Sequence, residues 1–308
     1  MIKIISLLLS IFLLTANTYA ADSLKDAEIA YAKANFVKAV KLYKPLALKG
    51  NVIAQEKLGY IYKWGVVDGN TDINESIKYF RLAAEQGSKD AQYELGRIYD
   101  FGNDVQQDYP EAFKWYKLAA EQGYSLAQDS LGNMYVLGLG VKASLPEAFK
   151  WKKLAAEQGI SYAQVSVGNM YSNGEGIKQD YVEAFRWYKL AAEQGDAGGQ
   201  ENLGRVYKTG QGVAQDYAEA IKWNKLAAEQ NNAGSQAALG IMYSDGLGVI
   251  QDYVIAHMWF NLSATKKNLK ASASAVLRVY LEEKMTPQQI AEAQKLAREC
   301  LARKYKGC

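Results

Sequence analysis

One hexapeptide constrains this chain more than any other feature of it. Leu-Ala-Ala-Glu-Gln-Gly stands at Leu82–Gly87, Leu118–Gly123, Leu154–Gly159 and Leu190–Gly195, and returns at Leu226–Asn231 with Asn in the last place. The step is 36 residues each time. Other columns keep the same step: Trp115, Trp151, Trp187, Trp223 and Trp259; Gly96, Gly132, Gly168, Gly204 and Gly240; Tyr99, Tyr135, Tyr171, Tyr207 and Tyr243. A period of this length means that one supersecondary unit is stacked on copies of itself around a shared core. The 308 residues, which could otherwise suggest two domains, therefore read as a single array over 21–308.

Each period reads as two helices. In the stretch Asp180 to Gly195, Asp180 suits an N-cap and Glu183 completes the spacing of a capping box; Asp72/Glu75, Asp108/Glu111, Asp216/Glu219 and Ser144/Glu147 repeat it. Gly195 suits the left-handed position that ends a helix, and Asn231 tolerates the same conformation. Between them Ala184, Trp187, Tyr188, Ala191 and Ala192 form one apolar face at a 3.6-residue period. The second helix, as in Ala91 to Tyr99, carries Gly96 in its middle, at a cost of about 1 kcal/mol relative to Ala. Repeating that cost in every unit implies a close helix crossing, and the Ala-Ala pair is the expected partner. Gly174-Glu175-Gly176-Ile177, Gly210-Gln211-Gly212-Val213 and Gly246-Leu247-Gly248-Val249 then read as turns between units, each plugged by its apolar residue.

These columns together, Ala-Gln-x-x-Leu-Gly-x-x-Tyr, Gly-x-Gly-Val/Ile and Glu-Ala-x-x-Trp-Tyr-x-x-Ala-Ala-x-Gln-Gly, resemble the Sel-one-like repeat, a relative of the tetratricopeptide repeat. The resemblance covers roughly Phe36 to Glu283. It implies an all-α, right-handed superhelical solenoid of antiparallel helix pairs, with about seven repeats and a capping helix at each end. It also implies a scaffold for a protein or peptide partner, because the fold hosts many partners rather than one chemistry. Some cysteine-rich members of the family bind β-lactams. A cell-wall-precursor or β-lactam binding or hydrolysing protein is thus the alternative reading, although those members carry a cysteine pair in each repeat and this chain does not.

The ends depart from the pattern, as solenoid caps do. Residues 21–35 hold a leading helix from Asp26 to Asn35, residues 36–283 the repeats, and residues 284–308 a final helix and tail. Thr286-Pro287-Gln288-Gln289 marks the last helix start, with Thr as N-cap, Pro at N1 and Gln at N3. Residues 1–20 differ from everything after them. A basic start at Lys3, an apolar run from Ile4 to Leu14 and small residues at Thr18 and Ala20 read as a secretory signal peptide cleaved after Ala20. The run is short of the about 20 apolar residues that a membrane span needs. The expectation is an exported chain, periplasmic or secreted, with no membrane span once processed and a monomeric state.

Charge and chemistry narrow the function. With 36 basic and 33 acidic residues spread along the chain, the net +3 gives no clustered face for nucleic acid. One histidine, His257, stands in the column of Phe113, Phe149, Phe185 and Ile221 and so reads as a packing residue. One His and two Cys cannot furnish a zinc site, so no catalytic, metal or cofactor residue is expected. Ser263-Ala264-Thr265-Lys266 and Lys208-Thr209-Gly210 match two signatures of penicillin-recognising enzymes, but in reversed order and without the strand those enzymes use. Asp68 to Asp72 hints at a calcium loop, yet Tyr79 stands where the bidentate Glu belongs. Cys300 and Cys308 suit a disulfide in an exported chain. On a continuous helix they would lie about 12 Å apart, so the tail must fold back, and free thiols or a bond between chains stay open.

The Trp column flanks the apolar helix face and reads as packing. The next column varies: Phe80, Tyr116, Lys152, Tyr188, Asn224, Phe260. Aromatic and polar side chains in one column suit a solvent-accessible, partner-binding groove of a curved solenoid, and these six are the expected binding residues.

Overall fold

Helix signals in this chain are local and repeated, and the helices follow them unit by unit. The computed structural model describes residues 23–67, 69–103, 105–265 and 269–308. The expected signal peptide lies outside the described residues, as do Asp68 and Lys266. The chain divides into two units, Met1–Ala143 and Ser144–Cys308. The first contains α1 (23–32), α2 (Phe36–Leu48), α3 (Val52–Trp64), α4 (Ile73–Glu85), α5 (Lys89–Phe101), α6 (Tyr109–Glu121) and α7 (Ser125–Leu137). The second contains α8 (Leu145–Glu157), α9 (Ser161–Asn173), α10 (Tyr181–Glu193), α11 (Ala197–Thr209), α12 (Tyr217–Ala228), α13 (Ala233–Asp245), α14 (Tyr253–Ala264), α15 (Leu269–Glu282) and α16 (Pro287–Ala302). No strand occurs among the described residues. Within each unit the architecture is an all-α repeat solenoid.

The caps work as the sequence implies, with one difference. Asp72, Asp108 and Asp180 each accept a hydrogen bond from the backbone N–H three residues on, at 3.0 Å. The reciprocal half of the capping box is replaced. The N–H of each cap Asp is already bound to the repeat tyrosine's carbonyl, Asp108 to Tyr99 and Asp180 to Tyr171, at 2.9 Å. The N3 glutamate turns instead to the tryptophan column: Trp115 Nε1 donates to Glu111 Oε1 at 2.8 Å, and Trp223 Nε1 to Glu219 Oε2 at 2.9 Å. Among the described residues only Thr286, at the start of α16, makes the full box. At the other end Gly195 N–H donates to Ala192 O and Asp196 N–H to Ala191 O, which closes the helix with Gly195 at φ +84°. Asn231 does the same at φ +63°.

The glycine-rich turn lies inside the tightest helix pair rather than between units. α5 packs more extensively on α6 than on α4, and α11 more on α12 than on α10. The cap-to-tyrosine hydrogen bond closes that turn. A Cβ on Gly176, at φ +73°, would run into the Leu145 carbonyl at the start of α8.

A buried glutamine joins three helices in four of the repeats. Gln55, Gln92, Gln164 and Gln200 donate from Nε2 to the carbonyls of Ala47, Ala84, Ala156 and Ala192 on the preceding helix, at 3.0 to 3.4 Å. The same four accept at Oε1 from Gln86, Gln122, Gln194 and Gln230, at 2.7 to 2.9 Å. A buried amide is stabilised when its hydrogen bonds are made, as these four make theirs; Gln236, at the same place in α13, donates to Ala228 O at 3.4 Å but its Oε1 has no partner among the described residues.

The C-terminal end is built differently. α15 and α16 both pack on α14. His257 is fully buried there and its Nε2 lies 2.9 Å from Glu282 Oε1. After α16 the chain turns back through Lys304 and Tyr305, both at positive φ. The Cα atoms of Cys300 and Cys308 lie 5.7 Å apart with their sulfurs in bonding contact. Gly307 N–H donates to Glu229 Oε1 at 3.1 Å, which ties the tail to the end of α12.

Candidate partner-binding face

The six residues expected to line an accessible groove are all buried. Phe80, Tyr116, Lys152, Tyr188, Asn224 and Phe260 are between 0% and 5% exposed. The cause lies in the repeat glycine. A Cβ at Gly59 would sit 2.6 Å from the Phe80 ring, at Gly168 2.6 Å from Tyr188, and at Gly240 2.6 Å from Phe260. The close approach inferred for that glycine is therefore real, but its partner is this column and not the Ala-Ala pair. The Ala-Ala pair meets a different small residue: a Cβ at Gly199 would lie 2.7 Å from Ala191 Cβ. Two members of the glycine's partner column reach through to the far side of the odd-numbered helices by their hydroxyls. Tyr116 Oη donates to Asp100 Oδ2 at 3.2 Å, and Tyr188 Oη to Asn169 Oδ1 at 2.8 Å. Burial pushes both phenols above their usual range, and it pushes the Asp100 carboxyl up as well.

The variable, accessible surface lies on the odd-numbered helices. These touch their next odd neighbours, α3 with α5 and α11 with both α9 and α13. In the first unit the last residues of α3, α5 and α7 are large and apolar: Trp64, Phe101 and Leu137 are 56%, 59% and 67% exposed. The stretch between them mixes charge and rings. Tyr60 stacks on Trp64 with centroids 5.0 Å apart. Arg97 lies over Tyr93 and Phe101 at 5.9 and 5.8 Å. Glu94, nearly buried, pairs with both Lys63 and Arg97. A cavity of about 470 Å³ opens between α5 and α7, walled by Arg97, Phe101, Asn133 and Leu137 with Tyr116 at its floor.

In the second unit the same face is polar. The helix-terminal column reads Asn173, Thr209 and Asp245. Arg205 Nη2 donates to Tyr188 Oη at 3.5 Å and to Asn202 Oδ1 at 3.2 Å. Cavities lie between α11 and α13, reaching Asn224, and between α13 and α15, reaching Phe260. Three of the six expected residues thus form cavity floors, while the walls come from helices the sequence reading did not single out. The missed signal was present: the column Trp64, Phe101, Leu137, Asn173, Thr209, Asp245 varies as freely as the one chosen.

The remaining chemical candidates are structural. Ser263 Oγ donates to Ala233 O at 2.9 Å inside the C-terminal packing, and Lys208 and Thr209 end α11. Trp115 and Trp259 are buried, whereas Trp151, Trp187 and Trp223 are half-buried. No helix of the described residues is long and apolar enough to cross a membrane.

Paired antiparallel helices on a 36-residue period, with constant residues between the layers and variable ones on the odd helices, define a helical-repeat scaffold. The chain belongs to the Sel1 repeat family: seven consecutive repeats match at residues 29–51, 52–88, 89–124, 125–160, 161–196, 197–232 and 233–268. Their boundaries put the glycine turn inside the unit, as the packing does. A Sel1 repeat protein from Oxalobacter formigenes is 28% identical, with a TM-score of 0.69 over 80% of this chain and 98% of that one. The antigen c5321, described as protective and present in uropathogenic Escherichia coli strains, displays the same repeat fold; it is 27% identical, with a TM-score of 0.50 over 94% of this chain and 85% of that one. No curated protein matches the chain. Sel1 repeat proteins generally mediate protein–protein interaction, on a scaffold that is typically non-enzymatic.

Proposed function

We propose that this protein is an exported scaffold that holds a protein or peptide partner on the faces of its odd-numbered helices, as an adaptor in envelope or host-interaction complexes. The observation that carries the reading is the row Trp64, Phe101, Leu137. Each ends an odd helix, each is more than half exposed, and they recur once per repeat. Exposed apolar groups spaced this way suit a chain laid across the helices, with charged neighbours setting register. Export rests on the leader-like residues 1–20.

The test is capture from an envelope extract of the source cells. The chain with Trp64, Phe101 and Leu137 all changed to Ala is expected to lose its partner while its melting temperature stays within a few degrees, because exposed side chains contribute little to stability. Undiminished capture by that variant would overturn the assignment to this face.

A further inference from the structure

We propose that the crevice between α11 and α13 is a pocket for an aromatic side chain of the partner, flanked by an acidic group. This rests on the scaffold reading and adds the class of residue that the second unit recognises.

The floor of this pocket carries an amide where four other repeats carry a ring. In four repeats the column against the repeat glycine is filled by Phe80, Tyr116, Tyr188 or Phe260, each fully buried. At the equivalent place between α11 and α12 stands Asn224. Its amide still presses on Gly204, and its Nδ2 donates to Ala220 O at 2.8 Å. It is shorter than a tyrosine, and a cavity of about 270 Å³ opens beyond it. Apolar cavities of roughly 150 Å³ already admit a benzene ring. One wall is apolar, from Ala237, Ala238 and Ile241 on α13; the other is basic, from Arg205 and Lys208 on α11. Neither base is in an ion pair among the described residues. Glu201 also lines the cavity but is held by Asn232 Nδ2 at 2.9 Å.

The floor is unfinished in a specific way. Asn224 is 1% exposed, and its Oδ1 has no hydrogen-bond partner among the described residues. A buried acceptor without a donor is unfavourable, so the site gains from a ligand that brings an N–H or O–H to it. A ring for the alanine wall, a donor for Asn224 and an anion for Arg205 and Lys208 together describe an aromatic residue with a neighbouring carboxylate. The preceding repeat shows the same chemistry within the chain, where the Tyr188 ring fills the gap and its hydroxyl meets Arg205 at 3.5 Å.

The experiment titrates the protein, labelled at Ala and Ile methyls, with N-acetyltyrosine and with N-acetyltyrosinamide. Saturable shifts are expected at Ala237, Ala238 and Ile241, with the uncharged amide binding about threefold to fivefold more weakly. Asn224→Tyr supplies the missing ring and is expected to abolish the shifts with no loss of melting temperature. Ala238→Met fills the cavity from the opposite wall and is expected to do the same. No saturable shift at those methyls, or unchanged affinity in a folded filled variant, overturns the pocket. Tighter binding of free tyrosine than of N-acetyltyrosine overturns its assignment to a residue within a polypeptide. Partner capture that survives Asn224→Tyr but is lost on the Trp64, Phe101 and Leu137 changes leaves the scaffold reading standing and removes this one alone.

Discussion

Gly168 has no room for a methyl group. Its hypothetical Cβ would press 2.6 Å from the Tyr188 ring, and that ring is buried between α9 and α10 with its hydroxyl held by Asn169. Gly168→Leu is expected to destabilise the second unit by about 1–3 kcal/mol or more, since overpacking forces side chains off their rotamers and shifts backbone. A thermal melt checks it, and an unchanged midpoint would contradict the close approach. Tyr188 itself belongs to the core: truncating a buried ring costs about 3–5 kcal/mol. The sequence carried the glycine's constraint because a helix-interior glycine in every unit needs a steric reason. It did not carry the partner, because Lys152 and Asn224 within an aromatic column suggest solvent. Both side chains are in fact buried. Which face a column presents depends on how neighbouring helices are phased around it, and a list of residue types does not record that.

At the scale of the element, a helix pair is held by polar bonds as much as by apolar contact. The glutamine of the Ala-Gln-x-x-Leu-Gly motif was legible only as a repeated letter, because its role depends on three helices packed together. Gln164 donates to Ala156 O on α8 at 3.1 Å and accepts from Gln194 at the end of α10 at 2.7 Å. Gln164→Leu removes both bonds, leaving Ala156 O with the Gly159 N–H at 3.0 Å and Gln194 Nε2 with the Leu190 carbonyl at 3.4 Å. The expected cost is roughly 1–3 kcal/mol, read as a fall of several degrees in the melting midpoint. A variant as stable as the parent would show that the ladder is incidental. The N-cap aspartates, by contrast, were readable outright, because a cap is set within four residues. The capping-box glutamates were half readable: their spacing is right, but the turn's own hydrogen bond occupies the donor they would have used, and the tryptophan column takes them instead.

For the whole molecule, a repeat array has ends that must be closed. At the C-terminal end the closure is α15, α16 and the tail. The Cys300–Cys308 contact, the Tyr305 N–H to Cys300 O bond at 2.9 Å and the link from Gly307 to Glu229 turn the tail back onto α12. We expect a native disulfide here, giving a mass gain of two hydrogens on reduction and no change in the mass of the assembled species. For so short a loop its contribution is roughly 2–3 kcal/mol. Because repeats lose stability locally, reduction is expected to raise amide exchange first in α16 and the tail; free-thiol labelling of the unreduced protein would contradict the bond.

The period made the all-α repeat legible from sequence alone, since 36 residues can return in register only if the same unit is built each time. The binding face was not legible, because constancy marks packing and the columns free to vary do so for more than one reason. What decides the function is which side of the first unit a partner touches. A photo-crosslinking residue is placed at Phe101, at the accessible end of α5, and in a second protein at Leu118, on α6 and 38% exposed. After irradiation in an envelope extract, a partner band is expected from position 101 and none from position 118. A band from 118 alone, or equal bands from both, would contradict a binding face on the odd-numbered helices.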